Sequence, residues 1–236
     1  MSVYVPRSFA TDDSTGVERL IDEYPFATLI TQAGDEPRIT HLPLLLHGGD
    51  ASSSATDDRA GLRATPPVDG SMNEAISAQR HLIGHVARAN PHWQHFADGP
   101  STAIFHGPHA YVSPSWYTEP ASQVPTWNYA VVHVHGTITL ADERSAKLAT
   151  LRSLIARFES HRAQPWQLQL EGKRLEAMLD AIVGFRFVIS RVDAKFKFSQ
   201  NKSADDRTRV IAGLREEDHA ESVATAAWME QYATGG

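Results

Sequence analysis

Apolar and polar residues alternate at period two along much of this chain, and each such run predicts a strand. Phe26 to Gln32 (FATLITQ), a turn at Ala33-Gly34-Asp35-Glu36 and Pro37 to Leu46 (PRITHLPLLL) predict a hairpin. His81 to Arg88 (HLIGHVAR) resumes the sheet, Ala89-Asn90-Pro91 breaks it, and His92 to Phe96 predicts a short helix capped by Asn90. Ser101 to Phe105 leads into a strand over Ile104 to Val112, and Ala130 to Thr139 is the next. The loop between them holds two of the five tryptophans, Trp116 and Trp127, so it is expected to be ordered. Its flat aromatic surface with nearby Ser, Thr and Asn suits a planar, polar-edged ligand, a subunit contact or a packed aromatic hairpin. Gly184 to Phe198 predicts a last strand pair or one long bent strand.

Helical spacing appears elsewhere. Thr11 to Ser14 offers caps for a helix carrying Val17, Leu20 and Ile21, while Met1 to Phe9 forms an arm ahead of it. Ala141 to Ala163 places Leu148, Leu151, Leu154, Ile155 and Phe158 on one face. Pro165, at a favoured first helical position, predicts a helix running to about Val183. Ser203 to Leu214 and Asp218 to Tyr232 predict two closing helices. The stretch 48–79 has almost no large apolar residue and predicts a flexible insertion in a hairpin. Six or seven antiparallel strands without βαβ alternation predict a mainly β fold with appended helices (α+β), a small barrel. Residues 1–200 would form the barrel domain with the helices at about 141–183, and 201–236 a C-terminal helical extension.

Composition narrows the chemistry. With no cysteine, disulfides, thiolate metal sites and a cysteine nucleophile are excluded. No apolar run is long enough to span a membrane and no signal-peptide pattern is present, which predicts a cytoplasmic protein. The net charge of -6 argues against broad attraction to nucleic acid. From Gly184 to Arg209, however, seven basic residues stand against three acidic ones, a local charge of +4 suited to phosphate or to a solvated strand face.

Twelve histidines raise a metal hypothesis, with His92-x-x-His95, His133-x-His135 and His106 with His109 as candidate pairs. No carboxylate accompanies the pairs closely, so no metal site is assigned. There is no Gly-x-Ser-x-Gly elbow, no Walker loop, no Gly-x-Gly-x-x-Gly and no recognisable helix-turn-helix. Two segments do suit a phosphate-bearing planar cofactor. His85-Val-Ala-Arg88-Ala-Asn90-Pro91-His92 gathers an arginine, an amide and imidazoles at a strand end. Lys195-Phe-Lys197-Phe-Ser199-Gln200-Asn201-Lys202 alternates cation and aromatic, then offers small polar side chains.

The chain resembles the PaiB-like family of FMN-binding negative transcriptional regulators. The matching motifs are YVPRSFA (4–10), ITHLPLLL (39–46), GHVARANPHW (84–93), FHGPHAYVSPSWY (105–117), VPTWNYAVVHVHG (124–136), AIVGFRF (181–187), KFKFSQNK (195–202) and VIAGL (210–214). They lie in the family's order across nearly the whole chain; the 48–79 insertion is longer than the family usually carries. The resemblance implies a dimeric FMN-binding split β-barrel, a homodimer with flavin at the subunit interface. It places Arg88, Asn90, His85 and His92 at the phosphate, and the backbone of Thr40 and His41 at the isoalloxazine edge. Trp127, Asn128, Lys197, Gln200 and Asn201 would complete the pocket from either subunit. Val86, Ala87 and His92 stand where the fold usually shows Ser/Thr and Lys or Arg. Three functions follow: a flavin-binding regulator with no DNA-reading motif of its own, a flavin-dependent oxidoreductase using NAD(P)H, or a haem-binding or haem-degrading protein.

Overall fold

The computed structural model describes residues 4–9, 11, 13–48 and 80–233. The expected insertion therefore lies, from residue 49 to 79, outside the described residues. The helices are α1 (Ser14–Glu23), α2 (Arg144–Glu159), α3 (Gly172–Asp180), α4 (Ala204–Glu216) and α5 (Ala220–Ala233). The strands are β1 (Phe26–Ala33), β2 (Glu36–Pro43), β3 (Leu45–His47), β4 (His81–Ala87), β5 (Ser101–Val112), β6 (Thr126–Leu140) and β7 (Ile182–Lys197). They follow the sheet order β2-β1-β5-β6-β7-β4-β3. Gly184 to Phe198, read as a pair or one bent strand, is one strand.

The chain folds into two compact units. One comprises residues 25–103 and 134–192. In it β1 pairs antiparallel with β2 from Phe26↔Pro43 to Ala33↔Glu36, and β4 pairs with β7 from His81↔Val188 to Ala87↔Ile182. Alternation does the sorting: Leu82, Gly84 and Val86 of β4 are buried, whereas His81, Ile83 and His85 face the half-buried side. Phe96 closes this core edge-on against Phe185, ring centroids 5.0 Å apart. Gly136 is required on β6, because a Cβ there would fall 1.9 Å from the carbonyl oxygen of Val188.

The helix expected from Pro165 does not form there. The Trp166 N–H donates to Glu159 Oε2 (3.0 Å), which holds the chain extended, and the helix begins only at Gly172, whose φ of +55° suits glycine.

The other unit comprises residues 1–24, 104–133 and 193–236. Asp13 caps α1 by accepting from the Gly16 N–H (3.0 Å), and Val17, Leu20 and Ile21 are buried. Ser203 caps α4 on the Asp206 N–H (3.1 Å). Trp228 of α5 anchors the aromatic core. It lies parallel to Tyr232 (6.2 Å, 11°), edge-on to Phe196 (5.8 Å), and donates Nε1–H to Glu23 (3.1 Å). Against α4, the indole of Trp116 fits over Gly213, where a Cβ would come within 2.5 Å of the ring. Among the described residues no helix is long and apolar enough to cross a membrane.

Candidate functional site

The residues singled out for a cofactor divide between the units. In residues 25–103 and 134–192, Thr40, Asn90 and His92 form a closed network. His92 is 2% exposed; its Nδ1 bonds Thr40 Oγ1 (2.8 Å) and its Nε2 bonds Thr31 Oγ1 (2.9 Å), which continues to Ser101 Oγ (2.8 Å). Asn90 donates its amide to Thr40 Oγ1 (3.0 Å) and accepts from the His92 N–H (3.0 Å), capping the short 3-10 turn Pro91–His95. Burial, reinforced by His95 and Arg38, lowers the His92 pKa to about 4, so it is a neutral, internally satisfied imidazole near pH 7.

Arg88 is similarly engaged. Its Nε donates to the Asp180 carbonyl (2.7 Å), and Nη2 donates to the Ile182 carbonyl (2.9 Å) and to both Asp142 oxygens (2.8 Å each). Burial alone would raise the Asp142 pKa, yet hydrogen bonds and charge from Arg88 and Lys147 bring it below the usual value. The guanidinium thus joins the end of β4 to the start of β7. His85 Nδ1 is buried without a hydrogen-bond partner, and burial depresses its pKa. His41 lies on the opposite face of β2 from Thr40, beside Thr28 Oγ1 (3.2 Å) and Phe26.

The second set forms a pocket of about 200 Å³ in the other unit, lined by Lys197, Lys202, Asn128, Asn201, Ser199, Thr126, Tyr117, Gln123 and Val124. The turn after β7 shapes it. Ser199 adopts φ +61°, and Gln200 holds the turn by accepting from the Phe198 N–H (2.7 Å) and donating to the Phe196 carbonyl (2.6 Å). Gln200 is therefore spent on the backbone and does not line the pocket. Asn128, also buried, is fixed by donation to Ser199 Oγ (3.0 Å).

Lys197 donates to Thr126 Oγ1 and to the Trp127 carbonyl (2.6 Å); Lys202 donates to Gln123 Oε1 (2.6 Å) and lies 5.0 Å over the Tyr117 ring. Burial, then the charges of Lys195 and Lys202, lower the Lys197 pKa. Lys195 itself is 8% exposed and sits between the Tyr4 and Tyr129 rings, at 5.6 and 5.3 Å. No carboxylate lines the pocket, although the charge of Lys202 reaches Asp206 just outside it and helps lower that carboxyl's pKa. The Trp127 indole is 51% exposed, with His109 stacked at 6.1 Å and Tyr111 edge-on at 6.4 Å.

This donor set fits a phosphate: two cations, hydroxyls and amides converge with no carboxylate in the lining, and the nearby Asp206 is held by the Thr118 N–H and hydroxyl (2.9 Å each). The volume suits a phosphate with a few attached atoms, since pockets enclosing a drug-sized ligand run to roughly 300–1,000 Å³. Of the lining residues, Lys202, Tyr117, Gln123, Val124, Thr126 and Ser199 are not among those the sequence assigns to the cofactor. Gln123 lies 79 positions from Lys202, and only the fold brings it near. Among the described residues no three His, Asp or Glu side chains gather as a metal site.

Comparison with known proteins places the chain. Residues 3–191 match the family model described as "Putative FMN-binding domain". The chain is 31% identical over 231 residues to the Protease synthase and sporulation protein PAI 2 of Bacillus subtilis, an alignment covering 97% of each. Among solved structures it resembles the FAD and heme binding protein of Mycobacterium smegmatis (TM-score 0.54, 16% identity, 85% of this chain and 78% of that one). It also resembles the flavocytochrome Anf3 of Azotobacter vinelandii (TM-score 0.53, 14% identity, 82% and 72%). The described residues form a mainly β sheet with five α-helices, a split-barrel fold, and the chain belongs to the FMN-binding domain family as a PaiB-like protein.

Proposed function

We propose that this protein is a homodimeric, FMN-binding regulator that holds the flavin phosphate in the Lys197–Lys202 pocket. The observation that carries the assignment is the pair of lysines lining one cavity whose lining holds no carboxylate. Two like charges held together in this way are destabilising until an anion enters, so phosphate binding relieves the site. The family match supplies the flavin, and the kinship with PAI 2 supports a role in regulation. The Arg88 segment, expected at the phosphate, is assigned here to holding the fold, because its guanidinium is committed to Asp142 and two carbonyls. The exposed β1–β2 face, with Phe26 at 65% and Ile39 at 55%, supports a second copy covering it.

The test is fluorescence titration with FMN and with riboflavin, which lacks the phosphate, beside a measurement of molar mass. In Lys197→Met/Lys202→Met, FMN affinity should fall tenfold or more while riboflavin affinity stays the same. Equal FMN affinity in the wild type and the double variant would overturn the placement, and a monomeric mass would overturn the dimer. Transcript profiling of a strain lacking the protein tests the regulatory part, which an unchanged profile would remove.

A further inference from the structure

The unit of residues 25–103 and 134–192 contains a cleft of about 360 Å³ between the C-terminal half of α2 and the extended run after it. Ile155 and Ala156 form one wall; Pro165, Trp166 and Leu168 contribute the other. It exists because the run fails to be helical: Glu159 fixes the Trp166 backbone and leaves the indole 54% exposed beside α2. A large aromatic held open to water on a tethered backbone is a preformed surface for another flat apolar group.

The charges at the cleft are unequal. Glu159 is satisfied, accepting from the Trp166 N–H and pairing with Arg162 Nε at 3.1 Å. Arg152 has no hydrogen bond or ion pair to any described residue. The cleft thus presents apolar walls and one uncommitted guanidinium, a planar fork suited to carboxylate or sulfonate. Its volume lies within the usual range for small-molecule sites.

We propose that this cleft binds a flat, mainly apolar organic anion, an aromatic carboxylate or sulfonate of about two rings. The rings lie against Trp166 and the Ile155–Ala156 wall, and the acid group meets Arg152. The site is separate from the lysine pocket, and its occupancy does not depend on flavin.

The probe is 1-anilinonaphthalene-8-sulfonate, titrated into the full chain, with uncharged N-phenyl-1-naphthylamine as its control. One site per chain is expected for the anionic probe. Arg152→Gln should weaken it tenfold or more and leave the neutral probe unchanged. Trp166→Ala, which removes a wall, and Ala156→Trp, which fills the space, should each abolish binding of both probes, with the far-ultraviolet dichroism of all variants matching the wild type. FMN affinity should be the same in every variant, so failure here is distinguishable from failure at the lysine pocket. Anionic-probe binding unchanged in all three variants, or equal loss of both probes in Arg152→Gln, overturns the proposal.

Discussion

His92 Nδ1 lies 2.8 Å from Thr40 Oγ1, joining the short turn after β4 to the hairpin strand β2 through a buried imidazole. Its other nitrogen is also bonded to a hydroxyl, so protonation must reverse one of the two bonds as well as bury a charge. The His92 pKa falls from 6.5 to about 4, so the unfolded chain binds more protons than the folded one between those values. Stability should be full above pH 6.5 and decline as pH falls towards 4. By pH 4.5 the loss from this residue should reach about 2–3 kcal/mol. Urea unfolding at pH 7 and 4.5 measures it, and His92→Gln should show a flatter profile. An equally steep profile in the variant would assign the acid sensitivity to other groups, among them His81, whose pKa also lies at about 4.

Arg88→Met should separate stability from ligand binding. It removes a two-oxygen contact to Asp142 and bonds to two carbonyls, so unfolding should become easier by about 1–3 kcal/mol. FMN affinity of the folded variant should stay within a factor of two. A large affinity loss without a shift in the urea midpoint would return Arg88 to the cofactor.

Gly213→Ala should disturb the loop that carries Tyr117. The new methyl would press on the Trp116 indole, and overpacking of this kind costs about 1–3 kcal/mol. Thermal unfolding reads the loss. Trp116→Ala in the same chain should recover part of it, because it removes the atoms the methyl meets.

Trp228→Ala should be the most damaging of these changes. The ring is buried against Phe196, Phe198 and Tyr232, and truncating such a residue costs about 3–5 kcal/mol. Denaturant unfolding should show an earlier midpoint with little change in slope.

Much of this architecture could be read from local signals. Period-two alternation located the β1–β2 hairpin, and the caps at Asp13 and Asn90 act where their spacing indicated. Pro165 misled, because its preference for a first helical turn is weaker than the bond from Trp166 N–H to Glu159 seven residues earlier. In the site, residue type was legible and partnership was not. Lys197, Asn128 and Asn201 line one pocket, whereas Arg88, His92 and Gln200 do not line it and spend their polar atoms on Asp142, threonines and backbone. For Arg88 and His92 the deciding partners lie 52 to 94 positions away and leave no local pattern, whereas Gln200 is claimed by backbone within four residues.

The unit carrying the lysine pocket is assembled from three separated stretches, residues 1–24, 104–133 and 193–236. On the ribosome, α1 emerges early and waits for about 200 further residues before Trp228 exists to meet Glu23 and Arg19. At roughly 5–20 residues per second that interval lasts on the order of ten seconds or more. The pocket is therefore a late product of synthesis, and nascent chains stalled before residue 193 should show α1 open to proteolysis and no capacity to retain phosphate.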